Sequence, residues 1–353
     1  MEFNIGPRMV KTGLAVALTL LVTGILDLEL EIVAAIAAVL AMQPSIMRSF
    51  AYIKEVLVSN GVAVIFALLG TFLLGSHPLS VGAVVIISIS INIRLGLNKT
   101  VSLTVLTIMA MMLASDNGIN YIYIIERISL IAIGVISAFV VNVLVFPPNH
   151  KKNLYHLIKD TSEKINFLMR VIPNNTMSIP KQKEEDREIE KMITKAKDYY
   201  EIISDERNRL FIRNKTDFLR SIVIYKHMIK VLDKQYTLIY HLEKNLREIE
   251  NSSSAKTFLI KKLVSEMNTY SENVLLMYEE KIKLDMDLQK ETKAAMRLTI
   301  NNLIDELQGA EFEKWSYVFP VANSLIELFY ELDKLERLVR FKELKEYKRD
   351  VKN

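Results

Sequence analysis

The sequence has no cysteine. That excludes disulfides, cysteine-ligated metal and thiol catalysis, and it leaves the compartment open. Histidine is scarce, at five residues, and no two lie three or four apart, so no helical metal-ligand pair arises. Gly96-Leu-Asn-Lys99-Thr100 ends like a phosphate loop but lacks the upstream glycines that would cradle a phosphate. Nucleophile elbows and kinase signatures are missing too. The net charge of +4 is small and spread out, so no basic face offers itself to nucleic acid. The expectation is a protein that is not an enzyme, holds no cofactor or metal and binds no nucleic acid.

Two further scarcities are local. Charge is rare before Phe146-Pro147-Pro148, and long apolar runs are rare after it. A soluble domain does not gather its apolar residues into one half in runs of this length. The reading is an all-α polytopic membrane protein. Residues 1–148 form a six-helix transmembrane bundle, and residues 149–353 form a soluble cytoplasmic helical bundle.

The most informative stretch runs from Leu30 to Ser49. It starts acidic at Glu31, becomes apolar and Ala-rich, and breaks at Gln43-Pro44 before Arg48. The part from Leu30 to Met42 makes roughly 20 Å of helix, short against a bilayer core of about 30 Å. Ala34/Ala38 and Ala37/Ala41 have the spacing that lets helices approach closely. The stretch reads as a partial span facing protein, either as a packed structural helix or as the lining of a solute path.

Around it, Arg8 and Lys11 precede a first, uncleaved span, Thr12 to Leu26. Ser45 to Ser59 mixes Arg48, Lys54 and Glu55 with apolar residues, as an interfacial helix or as the end of the next span. Gly61 to Leu74, Leu79 to Ile93, Thr100 to Ala114 and Tyr121 to Phe146 are the remaining spans, with a turn at Ser115-Asp116-Asn117-Gly118. Arg8, Lys11, Arg48, Lys54, Arg94, Lys99, Lys151 and Lys152 fall on one side. Asp27, Glu29, His77 and Asp116 fall on the other. The positive-inside rule then places both termini in the cytoplasm of a multi-pass inner or plasma membrane protein.

After Asn149 the pattern is that of soluble helices. Leu154, Leu157, Ile158, Ile165 and Leu168 mark one, and Ile172 to Pro180 is a loop. A long helical region runs to about Glu250, Asn251–Ser254 is a linker or cap, and more helix runs to about Gly309. A last helix starts near Pro320, a residue tolerated in a first turn. Tyr225, Ile229, Leu232, Tyr236 and Ile239 form one heptad-like stripe, and Leu325, Leu328, Leu332, Leu335 and Val339 another. Both read as bundle core, as does the lone Trp315 with Tyr317 and Phe319. The many carboxylates of this half read as solvated helix faces.

The order of features resembles the aromatic acid exporter family, related to fusaric-acid-resistance-type transporters. The residues that carry it are Arg8, Lys11-Thr-Gly13-Leu-Ala15, Ala37-Ala38-Val-Leu-Ala41-Met-Gln43-Pro44-Ser45 and Arg48-Ser49. Asn60-Gly61, Arg127 and Phe146-Pro147-Pro148 continue it. The resemblance implies export of aromatic carboxylic acids across the inner membrane. Larger relatives carry two six-helix halves and this chain has one, which implies a homo-oligomer.

An organic anion crossing an apolar region needs a fixed cation or hydrogen-bond donor, and a charge kept in a membrane is costly enough to be a functional candidate. Arg127, paired with its neighbour Glu126, is the first candidate. About 20 residues separate it from Phe146, roughly 30 Å of helix, so it also suits a snorkelling position at the outer headgroups. Arg8, Lys11 and Arg48 suit a basic cytoplasmic mouth, or simply signal topology. Gln43, Asn92 and Asn142 suit binding of a carboxylate, or join helices. The expected function is efflux of aromatic carboxylates or related organic anions, driven by membrane potential or a proton gradient. The alternative is a non-transporting membrane-anchored scaffold or sensor whose cytoplasmic bundle binds a partner or ligand.

Overall fold

A computed structural model describes residues 7–28, 30–113, 121–145, 150–174, 179–206, 215–283, 286–305 and 312–350. The expected features at Glu29, Ser115–Gly118, Phe146-Pro147-Pro148, Asn149 and Gly309 lie outside the described residues. Every regular element among the described residues is helical. The chain divides into two compact units, Met1–Pro148 and Asn149–Asn353.

The first unit holds α1 (Pro7–Ile25), α2 (Glu31–Ala41), α3 (Ile46–Leu74), α4 (Pro78–Arg94), α5 (Val101–Leu113) and α6 (Tyr121–Leu144). α1, α3 and α6 are long and apolar enough to cross a membrane, and α2, α4 and α5 are shorter apolar helices. Of the two readings of Ser45 to Ser59, the end of the next span holds: it joins the segment from Gly61 in one helix, α3, 29 residues long. Asn60 and Gly61 do not break it, because Asn60 Nδ2 satisfies the Val56 carbonyl of the preceding turn and nothing crowds Gly61. The break comes instead at Gly75, whose φ of +71° suits only a residue without Cβ, followed by His77 and Pro78 at the start of α4.

α2 is 11 residues long, about 17 Å of helix. Its Ala34, Ala37, Ala38 and Ala41 are buried, while Ile32 and Val39 turn outward. It therefore faces protein along its small edge only. The partner is α6 at Gly134. A Cβ added to Gly134 would lie 2.2 Å from the Ala34 carbonyl oxygen and 3.0 Å from the Ala38 amide nitrogen. Backbone meets backbone here, which only alanine and glycine permit.

The second unit holds α7 (His150–Val171), α8 (Ile179–Asp205), α9 (Lys215–Ser252), α10 (Ser254–Tyr278), α11 (Met286–Asp305) and α12 (Phe312–Asp350). The α9 and α12 stripes lie in one core, with all their members buried except the half-buried Tyr236. These two helices pack on each other more extensively than any other pair. Ser253 caps α10 by accepting from the Lys256 amide. The helix expected to run on to about 309 stops at Tyr278, and Glu280 takes a left-handed φ of 59° before α11. α12 starts at Phe312, so Pro320 lies inside it. Val318, Val321 and Leu325 are fully buried across the proline. Burial along a long apolar stripe outweighs the lost backbone hydrogen bond.

Candidate functional site

Within the first unit, a polar knot forms where α1, the α2–α3 turn and α6 meet. Met42 leaves the helical region, and Ser45 caps α3 by accepting from the Arg48 amide at 3.2 Å. The turn between them presents unused carbonyls to α6. Asn142 answers them: its Nδ2 lies 2.8 Å from Ser49 Oγ, 3.0 Å from the Gln43 carbonyl and 3.5 Å from the Ser45 carbonyl. Its Oδ1 accepts from Lys11 Nζ at 3.1 Å. Asn142 is 1% exposed and Lys11 6%. One amide thus ties three chain segments together and holds a buried ammonium.

The second feature is Arg127 on α6, 5% exposed. Its Nη2 donates to the Leu106 carbonyl of α5 at 3.2 Å, and its Nε–H meets no acceptor among the described residues. It forms no ion pair with Glu126 among the described residues, contrary to the expected pairing, because adjacent residues on a helix point about 100° apart. Nearby on α5, Thr107 donates to Asn60 Oδ1 of α3 at 2.9 Å. The fifteen residues from Arg127 to Asn142 are about 22 Å of helix, so the two features are separate stations on α6.

Of the residues singled out by sequence, the fold gathers Lys11, Asn142 and the backbone of Gln43, with Arg48 one turn away on α3. Arg48 is half-buried and Arg8 exposed. Asn92 is fully buried on α4, where its Nδ2 bonds the Ser88 carbonyl and its Oδ1 has no partner among the described residues. It does not join the knot. Ser45, Ser49 and Thr107 are participants that the sequence reading passed over. Ser45 and Ser49, four apart after a proline, were the available signal, since that spacing puts both hydroxyls on one face of a helix start.

A buried lysine and a buried arginine, without carboxylate partners among the described residues, make two positive positions in this unit. Each offers hydrogen-bond donors suited to a carboxylate.

Comparison with known proteins shows what the chain is similar to. Residues 3–145 match the family model described as aromatic acid exporter family member 1. The chain is 25% identical over 340 residues to UPF0421 protein YgaE of Bacillus subtilis (strain 168), covering 95% of each chain. It is 24% identical over 240 residues to the uncharacterized protein YqjA of the same organism, covering 68% of this chain and 71% of that one. UPF0421 protein OB2406 of Oceanobacillus iheyensis is 23% identical over 280 residues, covering 73% of this chain and 78% of that one. The matched stretch contains Lys11, the α2–α3 turn, Arg127 and Asn142, so over its N-terminal unit the chain is similar to the aromatic acid exporter family.

Proposed function

We propose that the protein is an efflux transporter of aromatic carboxylates or related organic anions. The observation that carries this is the pair of buried cations, Lys11 and Arg127, with no counter-carboxylate among the described residues. A buried uncompensated charge in a membrane is costly and is kept for a reason. An anion neutralises that cost, and the separation of the two along α6 suits successive binding. Six crossings with both termini cytoplasmic account for the loop charges. α2 crosses with help from the non-helical residues that flank it, and residues 149–353 lie in the cytoplasm. Arg8 and Arg48 gather anions at the inner mouth, and two or more copies build the path.

Moving one negative charge out of a cell that is negative inside is favoured by about 2.3 kcal/mol per 100 mV. That sustains roughly a fifty-fold gradient without ATP. The test is release of a panel of aromatic carboxylates from proteoliposomes under an imposed potential. Wild-type protein should release at least one member, and Lys11→Met, Arg127→Met and Arg48→Ala should slow that release while leaving the protein folded. If no panel member leaves faster than from empty liposomes, the transport reading fails.

A cavity in the second unit favours the scaffold or sensor as the second reading. Removing the residues after Asn149 separates the two: a transporter retains altered flux, whereas a sensor loses all function.

A further inference from the structure

The second unit has a pocket of about 390 Å³ between α7 and α10, and a separate small cavity of about 10 Å³ reaches into the core behind it. Ser162 and Leu275 line both. The small cavity has room for one water-sized group. Gln235 of α9 also lines it. Gln235 is fully buried. Its Nε2 donates to Asn166 Oδ1 at 3.2 Å, and its Oε1 has no partner among the described residues. An unpaired acceptor at that depth is costly, and it calls for a donor arriving through the cavity.

The outer pocket has a different chemistry. Tyr155, Leu275 and Leu276 supply apolar wall. At one end Glu279 is held by Lys281 at 2.6 Å, Lys159 at 3.0 Å and the Tyr155 hydroxyl at 2.9 Å. These contacts, Lys281 foremost, hold its carboxyl down at a pKa of about 2. Two ammoniums share the Glu279 carboxylate and have hydrogens to spare. Arg170 at the other end is matched by Glu272, and Glu163 also stands on the rim. A carboxylate therefore belongs at the Lys159–Lys281 end.

We infer that this pocket binds a small hydroxylated aromatic acid, with its hydroxyl donating to Gln235 Oε1 and its carboxylate on Lys159 and Lys281. The ring lies between Tyr155 and Leu276. This deepens the transport reading, on which it rests for its biological sense: the second unit binds the same class of acid as the proposed cargo. A water resting on Gln235 in an otherwise unused pocket is the rival occupant.

The experiment is calorimetric titration of the full chain in detergent with 4-hydroxybenzoate and with benzoate. The hydroxylated acid should bind at least tenfold tighter, because benzoate leaves the buried acceptor unpaired. Gln235→Leu should remove that preference. The double substitution Lys159→Ala, Lys281→Ala, on solvent-facing side chains, should weaken both acids tenfold and keeps the proposal testable if the Gln235 variant does not fold. Equal affinity for the two acids, or affinity unmoved by the double lysine substitution, overturns the site and leaves a resident water as the occupant. Flux measured on the same preparations keeps the readings apart. Pocket binding without release in proteoliposomes sinks transport alone, and release that coexists with unselective binding sinks the pocket alone.

Discussion

The two units keep their helices together by opposite means. In the first, the tightest crossing uses residues with almost no side chain: α2 and α6 meet through Ala34, Ala37, Ala38 and Gly134. Large apolar residues such as Ile25, Phe72, Leu79 and Ile122 point outward and are more than three-quarters exposed. In the second, leucine, isoleucine, valine and methionine fill the interior. Ion pairs such as Lys197–Asp233 and Lys164–Glu188 lie on the outside. Water drives large apolar side chains inward, at roughly 25 cal/mol per Å² buried. Lipid gives no such drive, so association rests on close backbone approach and hydrogen bonds. The polar groups follow the same division. The buried cations of the first unit are unpaired by carboxylates among the described residues. The buried Glu336 of the second is met by Lys293, Tyr270 and Arg340.

This contrast can be broken or sharpened by substitution. The largest effect is expected from Gly134→Ala. The new Cβ would meet backbone that cannot step aside, and the cost is about 3 kcal/mol or more. The absence of cysteine gives a clean readout, since a single cysteine at buried Ala67 should label faster only when the first unit opens. Labelling no faster than in the parent would mean that the crossing can relax. Next comes Leu332→Ala in the second unit, at about 3 kcal/mol for a fully buried leucine. Trp315 is the sole tryptophan, stacked on Phe319 with ring centres 4.5 Å apart, so its fluorescence follows the second unit alone. An unchanged melting curve would contradict the core assigned to α9 and α12.

A smaller loss, about 2 kcal/mol, is expected for Asn142→Leu. It strands Lys11 and frees the turn carbonyls at one stroke, whereas Asn92→Leu should cost less because, among the described residues, the Asn92 side chain bonds only its own helix. Equal costs would remove the knot's special standing.

The smallest effect is a gain. Glu243 on α9 and Asp186 on α8 face each other. Burial first, and then the neighbouring carboxylate, raises Glu243 to about 6 from the ordinary 4.5. Asp186 is raised by burial as well. The protonated form is favoured in the fold, so its contribution is full below about pH 4.5 and disappears as pH rises through 6. Glu243→Gln should therefore stabilise the second unit above pH 6 by about 1 kcal/mol, allowing for screening of a half-exposed group. It should change nothing at pH 4. A gain of the same size at both pH values would mean that the pair does not share a proton.

Much of the fold is legible in the chain because it depends on periodicity. The stripe from Tyr225 to Ile239 and the one from Leu325 to Val339 are core because their spacing is helical and their residues apolar. The Ala34/Ala38 and Ala37/Ala41 spacing likewise announced a close crossing. Element limits were less legible. Asn60-Gly61 looked like a start and Pro320 like a first turn, but each lies inside a helix. In both cases packing along the whole element overrode a local preference worth a few kcal/mol.

The candidate site divides in the same way. Composition alone determined that Lys11, Arg127 and Asn142 are polar residues in an apolar half, and a buried polar group must find partners. Which partners it finds depends on segments more than ninety residues apart. Asn142 meets Ser49, the Gln43 carbonyl and Lys11 because α6 crosses both α1 and the α2–α3 turn. Gln235 is an unremarkable residue beside the α9 stripe until the fold places its Oε1, unpaired among the described residues, near a cavity behind α7 and α10. Helical periodicity is a property of neighbours along the chain, and the sequence determines it. Hydrogen-bond partnership across helices is a property of neighbours in space, and only tertiary packing decides it.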